Sequence, residues 1–139
     1  MENNLKGHVI ICGYGLVGER VAEIMTQNGI QQVVIETDPK RVMLVRNAKL
    51  KVVEGDATSP KILKSAGIEH AKAIAVVMDD DAKNLFCIIT AKTINPKIII
   101  ASRVNDELLK ERFVDAGVKF IATPNTSTGD EIMRKISKT

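Results

Sequence analysis

Three glycines, Gly13, Gly15 and Gly18, directly follow the apolar run Val9-Ile10-Ile11-Cys12, and Glu36 comes 18 residues after the last of them. This is the spacing of a nucleotide-binding turn. Gly13 permits the tight exit from a strand, Gly15 lets the backbone approach a pyrophosphate, and Gly18 lets the next helix pack closely on the sheet. Backbone N–H groups around Tyr14, Leu16 and Val17 then face the phosphates, helped by the positive end of the helix dipole. A carboxylate at Glu36 accepts from ribose hydroxyls and repels a 2′-phosphate, which favours NAD or an adenine nucleotide over NADP. The competing reading is three glycines that only make a turn. The strand before, the helix after and the acid closing a second apolar run, Val33-Val34-Ile35, favour the ligand.

Serving one ligand requires these groups to meet at the carboxyl edge of a parallel sheet, where the residues just past the other strands join them. Those residues are Thr37 and Asp38 after the second strand, Gly55, Asp56 and Ala57 after the third, Met78 and Asp79 after the fourth, and Arg103 after the fifth. Asp38, before Pro39, also reads as a helix cap. Asp56 is balanced between accepting from an adenine amine and organising its own Gly-Asp-Ala-Thr turn. The run Asp79-Asp80-Asp81 raises a divalent-cation hypothesis, but it lacks the alternating ligands of a calcium loop and reads better as a solvated, helix-capping turn. No metal-ligating set is assigned. Asn84 faces either the ligand or water. Arg103 suits a phosphate or a carboxylate across an interface. His8 and His70 have no partner at a catalytic spacing and read as structural.

The elements that must position these groups alternate along the chain. Strands are predicted at 8–12, 32–36, 51–54, 73–78, 97–102 and 118–122. Helices are predicted at 16–28, 39–47, 60–66, 82–93, 105–116 and 128–136, with Gly29, Gly67 and Gly117 as stops. Six strands alternating with six helices imply an α/β, Rossmann-like, doubly wound parallel sheet with helices on both faces and strand order 3-2-1-4-5-6. Residues 1–7 form a polar lead-in, and 8–139 form one domain.

Composition agrees with a soluble globular chain of 139 residues, 45% hydrophobic and 27% charged, whose core must be aliphatic because aromatics make up only 3%. The net charge of +3 is dispersed and no base-stacking platform is visible, so nucleic acid is not an expected partner. Cys12 and Cys87 share no CxxC spacing and read as buried hydrophobes in a reducing cytosol. No apolar run approaches the ~18 residues of a membrane span. A dehydrogenase needs a substrate pocket and a proton-handling group over the nicotinamide, and neither is visible. A sensor that binds a nucleotide without turning it over is the leading reading, and a small NAD-dependent oxidoreductase or its cofactor domain is the alternative. Ile88, Ile89, Leu108, Leu109 and Phe113 are candidate dimer contacts, with packing on the sheet expected for most.

Together, residues 9–18, Glu36, Gly55-Asp56-Ala57-Thr58, Leu63-Lys64-Ser65-Ala66-Gly67-Ile68, Asp79-Asp80 with Asn84, and Ala101-Ser102-Arg103 resemble the RCK domain. This is the regulator of potassium conductance, also called the KTN or TrkA N-terminal domain, and the likeness spans about 8–136. It implies a cytoplasmic regulatory domain, held at the inner face of the membrane by a potassium channel or transporter. The implied ligand is NAD or NADH, with ATP, ADP or AMP as alternatives and a divalent cation in some relatives. The implied assembly is a homodimer that joins into a tetramer or an octameric ring acting on the pore. By position, Gly13, Gly15 and Gly18 hold phosphates, Glu36 the ribose, Asp56 the adenine side, and Asp79 and Arg103 the phosphate and ribose region. Family proteins usually continue into a smaller C-terminal domain, whereas this chain stops at Thr139. A fragment, a one-domain subunit and the cytoplasmic end of a channel all remain open.

Overall fold

The computed structural model describes residues 5–139; residues 1–4, most of the polar lead-in, lie outside the described range. Six strands, β1 (Val9–Cys12), β2 (Gln32–Glu36), β3 (Lys51–Glu54), β4 (Ala73–Val76), β5 (Ile99–Arg103) and β6 (Phe120–Ala122), form one sheet in the order β3-β2-β1-β4-β5-β6. Every pairing is parallel. This is the doubly wound order expected from the alternation of elements.

Side-chain alternation in the central strands explains the two-sided core. Ile10, Cys12, Val33, Ile35, Ile74 and Val76 face one way and pack with Leu63, Cys87, Ile88 and Phe113. Ile11 and Val34 face the other way, against Tyr14, Ala22 and Val45. The first group is covered by α3 (Pro60–Ser65), α4 (Asp81–Ile94) and α5 (Lys110–Asp115), and the second by α1 (Leu16–Gln27) and α2 (Pro39–Asn47). A strand covered on both faces must be apolar throughout, and β1 is buried at all four positions. Each such Ile or Val contributes about 1.5–3 kcal/mol of burial.

Local signals set the helix starts. Asp38 caps α2 by accepting from Lys40 N at 2.9 Å, Ser59 caps α3 through Ile62 N, and Asp80 caps α4 by accepting from Lys83 N at 3.0 Å. Pro39 and Pro60 occupy first-turn positions where no N–H is needed.

Differences from expectation are local. The sixth helix, α6, runs over Pro124–Ser137 and so begins four residues before the expected start, because Pro124 opens it as Pro39 and Pro60 open theirs. The helix expected at 105–116 splits into a 3-10 turn at Glu107–Leu109 and α5, and Asp106 caps the turn by accepting from Leu108 N. A further 3-10 turn at Ile68–His70 had no distinct sequence signal. β4 ends at Val76, so Val77 and Met78 belong to the loop that reaches the sheet edge.

Candidate functional site

Strand ends in register make the site. Cys12 is level with Ile35 on one side and Val76 on the other, so β1, β2 and β4 stop together where the strand order reverses. The chain leaves β1 through Gly13 at φ +100°, a left-handed conformation that disfavours any side chain. A Cβ on Gly18 would collide with the Gly13 carbonyl oxygen, which is why α1 begins so close to the strand. Gly15 sits at the N-cap of α1 and offers no side-chain cap, in contrast with the capped α2, α3 and α4.

Above this edge lies a cleft of about 310 Å³. Gly13, Gly15 and Leu16 form its floor, and Glu36 and Thr37 close the β2 side. Gly55, Asp56 and Ala57 close the β3 side, while Met78, Asp79 and Arg103 stand on the far wall. Tyr14, Val17, Gly18 and Asp38 do not line the cleft. The Tyr14 ring is buried beneath α1 and burial, with Glu19 and Glu23 nearby, pushes its hydroxyl pKa up. Gly18 acts through helix packing, and Asp38 as a cap. Ile35, Arg41, Val77 and Lys83 also line the cleft, and sequence reasoning missed them. Arg41 and Lys83 each lie in the first turn of a helix that follows a site strand, a position visible in the sequence.

Glu36 is only 6% exposed, and its carboxylate is already engaged. Oε1 accepts from Tyr14 N at 2.8 Å, and Oε2 accepts from Thr37 N at 2.7 Å and Asp38 N at 2.9 Å. A carboxylate has about four acceptor directions, so about one remains for a ribose hydroxyl. Arg41 reaches over the same point, with Nη1 3.8 Å from Glu36 Oε1 and Nε 3.9 Å from Asp38 Oδ2. Asp56 organises its own turn, accepting from Thr58 N at 2.8 Å and Thr58 Oγ1 at 2.7 Å, and still faces the cleft. These hydrogen bonds hold its pKa below the ordinary carboxylate range.

The acidic turn is built for capping and loop closure. Asp80 caps α4, while Asp81 accepts from Asn105 N through Oδ1 and from Asp106 N through Oδ2. Among the described residues no cluster of three His, Cys, Asp or Glu side chains is arranged to hold a metal ion. Asn84 is fully buried and turned inward, accepting from Met78 N and donating to the Met78 and Arg103 carbonyls. His8 is buried with Nε2 2.8 Å from the Ala66 carbonyl. The two cysteines are buried with sulfurs 3.8 Å apart, and the hydrogen bond shared with Cys87, together with burial, pushes the Cys12 thiol pKa up, away from the reactive thiolate.

The arrangement offers a glycine floor, an uncapped helix start, three cations and a buried acid at the end of β2, which is chemistry suited to a nucleotide. Comparison with known proteins supplies the family. The TrkA-N domain matches residues 9–124. The chain belongs to the TrkA-N family. Potassium channel protein 1 of Methanocaldococcus jannaschii is 37% identical to this TrkA-N chain over 132 residues, covering 94% of the chain and 40% of that protein. The Trk system potassium uptake protein TrkA homolog of Pyrococcus abyssi is 35% identical over 107 residues, 76% of the chain and 47% of that protein. The chain thus spans less than half the length of either relative. Among solved structures, the TrkA-N domain of Escherichia coli inner membrane protein ybaL superposes with a TM-score of 0.91 at 23% identity, over 95% of this chain and 98% of that one. The GsuK channel bound to NAD gives 0.79 at 18% identity, over 88% and 22%. The AMP-bound Kef C-terminal domain of Shewanella denitrificans gives 0.78 at 23% identity, over 93% and 80%. At such identities these structures establish the TrkA-N fold. No helix among the described residues is long and apolar enough to cross a membrane.

Proposed function

We propose that this chain is a regulatory domain of a potassium channel or transport system that binds NAD(H) or an adenine nucleotide in the cleft at the β1–β4 switch point. The observation that carries the reading is the Glu36 carboxylate holding the Tyr14 N–H of the glycine turn, which joins the phosphate floor and the ribose wall into one preformed site. Gly13, Gly15 and the start of α1 receive the phosphates, Glu36 meets the ribose, and the Asp56 turn meets the base. Asp79 and Arg103 close the phosphate and ribose side. The relatives named for potassium channels and uptake, and the neighbours bound to NAD and AMP, support the reading as a nucleotide-binding regulatory domain of potassium transport.

The ligand acts by population shift. It favours whichever arrangement of a dimer or larger ring binds it better, and a ligand bound equally by all arrangements would shift nothing. Support for assembly comes from α6, which has no buried residue and exposes Ile132, Met133 and Ile136. On α4, Phe86 and Ile89 are exposed as well. Of the residues singled out for dimer contact, Ile88 and Phe113 are fully buried in the core, Leu109 packs against it, and Ile89 and Leu108 remain available. We place the domain at 8–139, on the cytoplasmic side of its membrane partner.

Sedimentation of the chain with and without saturating NAD⁺, NADH, ATP, ADP and AMP tests this. A ligand-dependent change in the association equilibrium is expected. A chain that stays monomeric at high concentration in every condition contradicts the assembly mechanism. Substrate-dependent loss of nicotinamide absorbance would instead favour an oxidoreductase.

A further inference from the structure

Arg103 is the half-buried cation on the far wall of the cleft, and its guanidinium is held from behind. Its Nε donates to Asn105 Oδ1 at 2.7 Å, the shortest polar contact of that loop. Asn105 is fixed in turn, because its Nδ2 donates to Asp81 Oδ1 at 3.1 Å and to the Asp79 carbonyl at 3.1 Å, and its backbone N donates to Asp81 Oδ1 at 2.8 Å. The Arg103 backbone is held separately, its carbonyl accepting from Ser102 Oγ at 3.1 Å and from Asn84 Nδ2 at 3.4 Å.

Among the described residues the guanidinium has no carboxylate partner, whereas Arg41 across the cleft lies beside Glu36 and Asp38. An arginine fork fixed at Nε presents its two Nη groups as a pair, the geometry that suits two oxygens of one phosphate. We propose that Asn105, anchored by Asp81, is a positioning residue that aims the Arg103 guanidinium at the nucleotide's phosphates and so sets the preference for a phosphorylated nucleoside over the bare nucleoside. The inference rests on the reading of the cleft as a nucleotide site. Asp81 is thereby given a task that capping alone does not explain, since both of its oxygens bind the Asn105–Asp106 loop rather than its own helix.

A double-mutant cycle read with two ligands tests it. ADP and adenosine are titrated into the wild-type chain, Asn105→Ala, Arg103→Ala and the double variant. Asn105→Ala is expected to weaken ADP about tenfold, the effect of a misplaced charged hydrogen-bond donor, with adenosine affected less than about twofold. In the Arg103→Ala background the same substitution is expected to change ADP affinity by less than about twofold, because Asn105 acts only through Arg103. Additive losses, equal losses for ADP and adenosine, or an ADP affinity untouched by Asn105→Ala each overturn the proposal while leaving the nucleotide site standing. A wild-type chain that binds neither ligand overturns both.

Discussion

Glu36 Oε1 accepts the Tyr14 N–H at 2.8 Å, so the acid that closes β2 grips the middle of the Gly13-Tyr14-Gly15 turn that closes β1. With Thr37 N and Asp38 N on its other oxygen, the carboxylate is a structural clamp as well as a ligand group. The clamp is tested through stability. Glu36→Ala strands three backbone donors, each costing about 1–3 kcal/mol where water cannot replace the acceptor. Urea unfolding is expected to show a loss of roughly 2–4 kcal/mol.

Gly18→Ala tests the close approach of α1 to β1. The new methyl group collides with the backbone carbonyl of Gly13, and no flexible side chain can give way. A loss of about 3 kcal/mol or more is expected, read as a lowered thermal midpoint.

Lys49 should accept glycine with a gain. It ends α2 at φ +61°, the left-handed position that glycine fills in most such caps, with its N–H bonded to the Arg46 carbonyl. Relief of that conformation outweighs the added freedom of the unfolded chain, so Lys49→Gly is expected to stabilise by about 0.5 kcal/mol in denaturant titration.

The Asp56 turn should respond to acid. Its carboxylate has a depressed pKa, first through the Thr58 backbone N–H and then through the Thr58 hydroxyl. A depressed folded-state value means that the turn's contribution is full above the unfolded aspartate value of about 3.9 and fades as pH falls through the lower folded value. Carboxyl-detected NMR titration is expected to place the Asp56 midpoint below that of an unstructured aspartate. Thr58→Val, which keeps the N–H and removes the hydroxyl, should raise it part of the way back.

Much of this architecture is legible in the sequence because its signals are local. Gly13 needs positive φ, Pro39 and Pro60 open helices, and β1 is apolar because both of its faces are covered. The site's second layer is not local. That Glu36 turns inward depends on the Tyr14 N–H pointing across from another strand, and that Asp81 grips Asn105 joins residues 24 apart in the chain. The first-turn positions of Arg41 and Lys83 are marked in the sequence, but the entry of their side chains into the cleft depends on how those helices pack, which strand and turn patterns do not fix. Pro124 was the readable signal for the early start of α6, and the polar residues after it obscured it.

The most direct test is an amide-resolved NMR titration of the chain with ADP and NAD⁺. Shifts are expected at Gly13 to Gly18, Thr37, Gly55 to Ala57 and Asp79, with the Arg103 Nε–H moving as well. Saturating ligand that leaves these signals in place, or moves only residues of α6, would contradict the claim that the switch-point cleft is the nucleotide site.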